Sequence, residues 1–291
     1  MAPVTSIKRA LRLAGMRPLP RWPARDPVDL RGKRILLTGA SSGIGAAAAE
    51  KLAAQGAFVI AVARRETLLA ELVSRIRAAG GAATACPANL ANLDEVDALT
   101  KTVGPVDVLI NNAARSIRRP LGDSLERWHD VERVMQLNYY APLRLIRGLA
   151  PGMIERGDGH IINVATWRVL PESSPMFAAY NASKAALSAV SRVIDTEWGW
   201  SGVHSTTVYY PLVATPMIAP TQAYSGVAAL SAEEAADWMV TAARTRPVRI
   251  APRKALALRA LDVVAPRALN TILERETARM NRNALEVAAR H

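Results

Sequence analysis

A single cysteine, Cys86, stands in a chain of 291 residues. It can build neither a disulfide framework nor a cysteine-based zinc cluster, and no metal site is expected. No apolar stretch reaches the ~18–20 uninterrupted residues that a membrane span requires. The N-terminus has no apolar run of secretory length, so the expected compartment is the cytoplasm. Internal repeats are absent, and low complexity is confined to Ala-rich stretches. Wholesale disorder is excluded too, because 50% of the residues are apolar and 21% charged. At roughly 150 residues per domain, the length allows one large domain or two small ones.

The net charge of +12 is unevenly placed. Residues 1–34 carry nine Lys/Arg against two Asp, and residues 244–291 carry eleven against four acids. The middle of the chain, 35–243, is net −2. A nucleic-acid binder would carry the basic excess on its core, so no nucleic-acid partner is expected. Basic flanks on a neutral core point to a membrane surface or an anionic ligand. Residues 4–17 fit a short amphipathic helix, with Val4, Ile7, Ala10, Leu11 and Ala14 on one face. Lys8, Arg9, Arg12 and Arg17 are interleaved on the other side. Prolines 18, 20, 23 and 27 make the next stretch an extended linker. Such a helix either adsorbs peripherally at the inner membrane surface or packs on the protein's own body.

From Lys33 onward, short apolar runs alternate with helical patterns. Strands are predicted at Arg34–Thr38, Phe58–Ala63, Ala82–Cys86, Val106–Asn111, Ile161–Ala165 and Ser205–Tyr210, with a weak one at Val248–Ala251. Helices are predicted from the glycines to about Gln55, then at 66–79, 93–103, 131–155, 178–199 and 232–244. This alternation implies an α/β fold: one Rossmann-type, doubly wound parallel sheet of about seven strands in a single domain. The expected division is a basic helix and linker at 1–30, a nucleotide-binding domain at 31–252 and a helical extension at 253–291.

Thr38-Gly39-Ala40-Ser41-Ser42-Gly43-Ile44-Gly45 lies between the first strand and its helix. Glycines there let backbone approach a pyrophosphate, and the helix N-terminus offers it free N–H groups. A carboxylate at the end of the second strand would select NAD; Ala63-Arg64-Arg65 has none. Arg64 suits a ribose 2′-phosphate, so NADP(H) is the expected cofactor. Tyr180-Asn181-Ala182-Ser183-Lys184 places Tyr180 and Lys184 one helical turn apart. A neighbouring ammonium should draw the phenol down from ~10 toward working pH, as a general acid for a carbonyl–alcohol couple needs. Lys184 can also hold the nicotinamide ribose.

These motifs resemble the short-chain dehydrogenase/reductase family over about 31–252. The matching pieces are TGASSGIG at 38–45, NNAA at 111–114, Asn138, and YNASK at 180–184. The resemblance implies a catalytic set of Asn138, Thr166, Tyr180 and Lys184, with Asn138 supporting a water relay to Lys184. It also implies that Thr215 bonds the nicotinamide carboxamide, that Asn112 and Ala113 flank the cofactor, and that Asn89 stands on the adenine side. Strand alignment puts Thr166 where the family has a serine, which requires one extra residue in the 168–179 loop. Family members pair through helices corresponding to 131–155 and 178–199, so a homodimer or homotetramer is expected.

RSIRRP (115–120), ERWHDVERVMQLNYY (126–140), YYPLVATPMIAPTQAY (209–224) and LSAEEAADWMV (230–240) are similar to bacterial fatty acyl-CoA reductases of the short-chain type. That subgroup implies reduction of a long-chain acyl-CoA to its aldehyde by NADPH. The alternatives are a carbonyl reductase for a steroid-like or 3-oxoacyl substrate, and a non-catalytic nucleotide-binding scaffold. Trp167, Met176, Phe177, Tyr210, Met217, Ile218 and Tyr224 fall on loops where such folds bind substrate, or belong to the core. Arg115, Arg118 and Arg119 either meet CoA phosphates or form a solvated loop.

Overall fold

The computed structural model describes residues 14–18, 27–219, 221, 224 and 227–288, without the side chains of 276 and 279–288. The predicted helix at 4–17 and the proline-rich linker lie outside the described residues except at 14–18 and 27.

Seven strands build one sheet: β1 (Arg34–Thr38), β2 (Phe58–Ala63), β3 (Ala82–Pro87), β4 (Val108–Asn111), β5 (Gly159–Thr166), β6 (Val203–Tyr210) and β7 (Arg249–Ile250). Their order is β3-β2-β1-β4-β5-β6-β7, and every pairing is parallel. The central strands are apolar on both faces because both faces are covered. Ile35 and Leu37 of β1 face α1 (Gly43–Ala54), α2 (Glu66–Ala78) and α7 (Ala232–Thr245). Leu36, between them, faces α3 (Leu93–Thr102), α5 (Ala141–Glu155) and α6 (Ala178–Trp198). Successive residues of one strand thus belong to two separate cores, as the period of two demands. Strand order reverses at β1 and β4, which opens a crevice at the carboxyl edge between them.

The continuous helix predicted over 131–155 is not what forms. The chain enters a helix earlier, as α4 (Trp128–Met135), widens into a π-turn at Gln136–Tyr140, and only then continues as α5. The wider turn leaves Asn138 fully buried, where its amide meets the loop after β4 and the start of α6. Single π-turns of this kind often mark functional positions.

Beyond β7, α8 (Arg253–Val264) and α9 (Pro266–Ala288) turn back over the carboxyl edge. Ala255 is fully buried against Ala165 of β5 and Tyr209 of β6. The described end of the N-terminal segment joins them. Pro18 bridges Pro252, and the Arg253 amide donates to the Arg17 carbonyl at 3.1 Å.

His160, at the opposite end of β5, is completely buried. Thr206 Oγ1 donates its only hydrogen to the Pro247 carbonyl, so His160 Nε2 must be the donor in its 2.8 Å contact with Thr206. Nδ1 has no partner among the described residues, and burial pushes the imidazole pKa down to about 3. The folded protein therefore refuses a proton that the unfolded chain accepts below ~6.5. The stability this provides is complete above pH 6.5 and is lost as pH falls toward 3. Between pH 7 and pH 5, His160 should account for a loss of about 2 kcal/mol. Urea unfolding at the two pH values checks this: His160→Gln should lose less stability than the wild type by that amount. Parallel losses would show that His160 is not the group responsible.

Candidate active site

The crevice continues into a cavity of about 1050 Å³ that runs from the glycine turn to α8 and α9. At its nucleotide end, Gly39 and Gly43 have positive φ values of 69° and 55°. Gly45 is required for another reason: a Cβ there would lie 2.2 Å from the Gly39 carbonyl oxygen. Thr215 covers the turn, its Cγ2 3.1 Å from where a Cβ on Gly43 would be. Gly39, Ser41, Ser42, Gly43, Ile44 and Gly45 all line the cavity.

Thr38, at the end of β1, holds this edge together. Its hydroxyl accepts from the amides of Asn112 (2.9 Å) and Ala113 (3.0 Å) and donates to the Ile110 carbonyl (3.1 Å). Asn112 returns the contact, its Nδ2 donating to the Thr38 carbonyl at 3.0 Å. One residue earlier, Asn111 Nδ2 donates to Asn163 Oδ1 at 2.9 Å, linking β4 to β5. Asn112 and Ala113 thus both line the cavity and fix the turn beside it.

Arg64 lines the cavity, as the sequence suggested, but Arg65 does too. Its Nη2 donates to Ser41 Oγ and Ser42 Oγ, each at 2.8 Å. Sequence reasoning gave weight to only one of the two arginines; their adjacency was the available signal. Arg115 is close enough to Arg64 and Arg133 that repulsion, after burial, lowers its proton affinity. Asn89 is not brought in: its Oδ1 accepts from the Ala91 amide, while its neighbours Ala88 and Leu90 line the cavity.

At the other end, Thr166 is the last residue of β5 and Tyr180 stands in the first turn of α6. Both line the cavity, as does Lys184. Lys184 is almost fully buried, and its Nζ donates to the Val164 carbonyl at 2.7 Å. Asn138 lies behind this group. Its Oδ1 accepts from the Arg115 amide (2.8 Å), and its Nδ2 donates to the Arg115 carbonyl (2.9 Å) and Ser183 Oγ (3.0 Å). Ser183 in turn donates to the Tyr180 carbonyl at 2.7 Å. Ser183, inside the YNASK string, is a connecting residue that sequence reasoning left without a role.

The electrostatics differ from the expectation. Burial pushes Tyr180 up to about 12 and Lys184 down to about 7. The cation that offsets the rise at Tyr180 is Arg168 rather than Lys184, whose ammonium is itself desolvated. The Arg168 guanidinium sits 5.4 Å from the Trp167 ring centre and 5.3 Å from that of Phe177, and Phe177 meets Tyr180 edge-on.

All seven aromatic and apolar loop residues picked from the sequence line the cavity. Tyr210 is also anchored in the core, donating to the Ala235 carbonyl at 2.6 Å and stacking on Trp238. Met176 adopts φ 70°, a strained value for a residue with a side chain, and its carbonyl accepts from the Arg119 amide. Of the three loop arginines, Arg118 lines the cavity and the Arg119 side chain pairs with Asp130.

A sequence profile described as short chain dehydrogenase matches residues 33–225. The chain is similar to a fatty acyl-CoA reductase of Mycobacterium tuberculosis, 64% identical over 96% of this chain and 98% of that one. It is also similar to a fatty acyl-CoA reductase of Acinetobacter baylyi, 48% identical over 77% of each chain. A solved metagenomic short-chain oxidoreductase in complex with NADP matches with a TM-score of 0.64 and 31% identity. That match covers 74% of this chain and 92% of the other.

Thr38→Val keeps the shape of the side chain but leaves the part-buried Ala113 amide without an acceptor and the Asn112 amide with the Ile110 carbonyl alone. Thermal or urea unfolding should show a loss of about 1–3 kcal/mol, and Thr38→Ser a loss below about 1 kcal/mol. Equal stability of Thr38→Val and the wild type would mean that this hydroxyl does not hold the edge.

Proposed function

The chain belongs to the short-chain dehydrogenase family, and from that premise we propose that it reduces a long-chain fatty acyl-CoA to the fatty aldehyde with NADPH. The observation that carries this reading is the extent of one match. The similarity to the fatty acyl-CoA reductase of M. tuberculosis covers 96% of this chain, so it reaches into both extensions as well as the sheet. The family profile alone stops at residue 225.

The residues present fit a nicotinamide dinucleotide. A side chain at Gly45 would collide with the Gly39 carbonyl that shapes the turn, and α1 begins at this turn, at Gly43, with no side-chain cap. The 2′-phosphate is supported by the absence of a carboxylate in Ala63-Arg64-Arg65 at the end of β2 and by Arg64 on the cavity. Arg115 adds to this, because an anion would relieve its repulsion from Arg64. When bound, NADPH supplies the hydride.

The chain's own residues supply the rest. Lys184 ties α6 to β5 through the Val164 carbonyl, which keeps Tyr180 and Thr166 on the same cavity. A phenol at about 12 remains protonated at neutral pH, so Tyr180 can donate to the thioester oxygen as hydride reaches the carbonyl carbon. Thr166 Oγ1 accepts only a long 3.4 Å contact from the Arg168 amide, leaving its hydrogen for the same oxygen. Each well-placed donor is worth ~3–4 kcal/mol as negative charge develops there. Return of that charge re-forms the carbonyl and expels the CoA thiolate, which takes a proton from solvent. Asn138 acts at a distance, fixing Ser183 and with it the first turn of α6.

A panel of acyl-CoAs, ketones and aldehydes, with NADPH oxidation and free thiol followed together, tests the reading. One thiol should appear per hydride transferred to the thioester. Tyr180→Phe should lower turnover at least a hundredfold with NADPH affinity retained. Turnover of ketones without thiol release would replace the proposal with the carbonyl-reductase alternative.

For the cofactor, Arg64→Ala should weaken NADPH binding at least tenfold more than NADH binding in fluorescence titrations. Equal losses would remove Arg64 from the phosphate site.

A further inference from the structure

The cavity has a second end that the short-chain dehydrogenase profile does not reach. Five of its lining residues come from the C-terminal extension: Lys254 and Leu258 of α8, and Leu269, Ile272 and Leu273 of α9. On α9 the spacing 269, 272, 273 puts all three on one helical face. That face turns inward, since Leu269 is fully buried although α9 lies at the outside of the molecule. α8 is held firmly here: Ala255 packs against β5 and β6, and Lys254 Nζ lies 5.8 Å from the ring centre of Trp167, the residue after Thr166.

We propose that this face of α9, with Leu258, is the wall along which the alkyl chain of the substrate lies. Its position relative to the reacting groups sets chain-length preference. The proposal rests on the acyl-CoA reading and names the part of the cavity that measures the chain. The chemistry of the surface selects the occupant. The four apolar residues, three leucines and an isoleucine, carry no polar side-chain atom and continue the same cavity that holds Tyr180 and Thr166. A group extending from a carbonyl held by those hydroxyls toward α9 therefore passes Lys254, whose Nζ is drawn to the Trp167 ring, and then meets the apolar face of α9. Each methylene placed there contributes about 0.8 kcal/mol, enough to discriminate chain lengths by successive factors of about four. Ile272 is 42% exposed, so the wall ends at solvent and a long chain can run out past it.

The test uses the full-length protein with NADPH and saturated acyl-CoAs from butyryl to stearoyl. Leu273→Trp and Ile272→Trp narrow the wall, and circular dichroism melting establishes that each variant is folded. In both, the ratio of kcat/KM on palmitoyl-CoA to that on butyryl-CoA should fall at least tenfold. An unchanged ratio in folded variants would overturn the proposal while leaving the acyl-CoA reading intact. If the wild type reduces no acyl-CoA, the reading itself fails, and calorimetric binding of 1-decanol and 1-butanol to the NADP⁺-loaded protein decides the wall separately. Leu273→Trp should then weaken decanol at least tenfold more than butanol, and equal weakening would reject the wall.

Discussion

One threonine hydroxyl secures the carboxyl edge where the two halves of the sheet meet. The doubly wound sheet must part where its strand order reverses, and at that point β1 and β4 have no further ladder bonds to share. Thr38 Oγ1 spans the gap, accepting two amides from the chain after β4 and donating to Ile110. What lies on either side follows from it. The glycine turn is held open over the crevice, and the segment after Ala113 is aimed toward Asn138, whose amide grips the backbone of Arg115. From Asn138 the chain of bonds passes through Ser183 to the turn that carries Tyr180. The nucleotide end and the reactive end are therefore parts of one hydrogen-bonded framework.

The two ionisable groups at the reactive end are both driven toward their neutral forms. Burial raises the phenol of Tyr180 and lowers the ammonium of Lys184. A tyrosine that keeps its proton is a donor, which matches chemistry in which negative charge arrives at a carbonyl oxygen. The pairing expected from sequence, a lysine drawing the phenol down, assumed that an i, i+4 neighbour keeps its charge. Lys184 has spent its Nζ on a backbone carbonyl in a dry setting, and the offsetting cation comes instead from Arg168 on the following loop.

The fold was legible because its rules are periodic. Apolar runs of strand length, separated by helices, specify a parallel sheet covered on both sides, and Ile35, Leu36 and Leu37 alternate between its two cores accordingly. The glycine turn and the Tyr180–Lys184 spacing were legible because both are local. What stayed hidden depends on distant partners. The π-turn at 136–140 exists because Asn138 must face inward to Arg115 and Ser183, and helical periodicity does not carry that information. Which of two adjacent arginines reaches Ser41 and Ser42 depends on how the chain leaves β2 in three dimensions, which composition does not encode. The inward face of α9 was equally unreadable, since basic residues alternate with its leucines and the sequence pointed to a membrane surface or an anionic ligand.

The junction between Arg17, Pro18, Pro252 and Arg253 sets an order on biosynthesis. A ribosome delivers the N-terminal segment first, yet its docking partner is made only after the seventh strand. Everything that lines the nucleotide end, from Gly39 to Thr215, has emerged before α8 exists. Domains tend to form as their residues become available. The nascent enzyme can thus assemble its nucleotide crevice while the far end of the cavity is still open to solvent, and the wall closes last, when two segments from opposite ends of the chain meet.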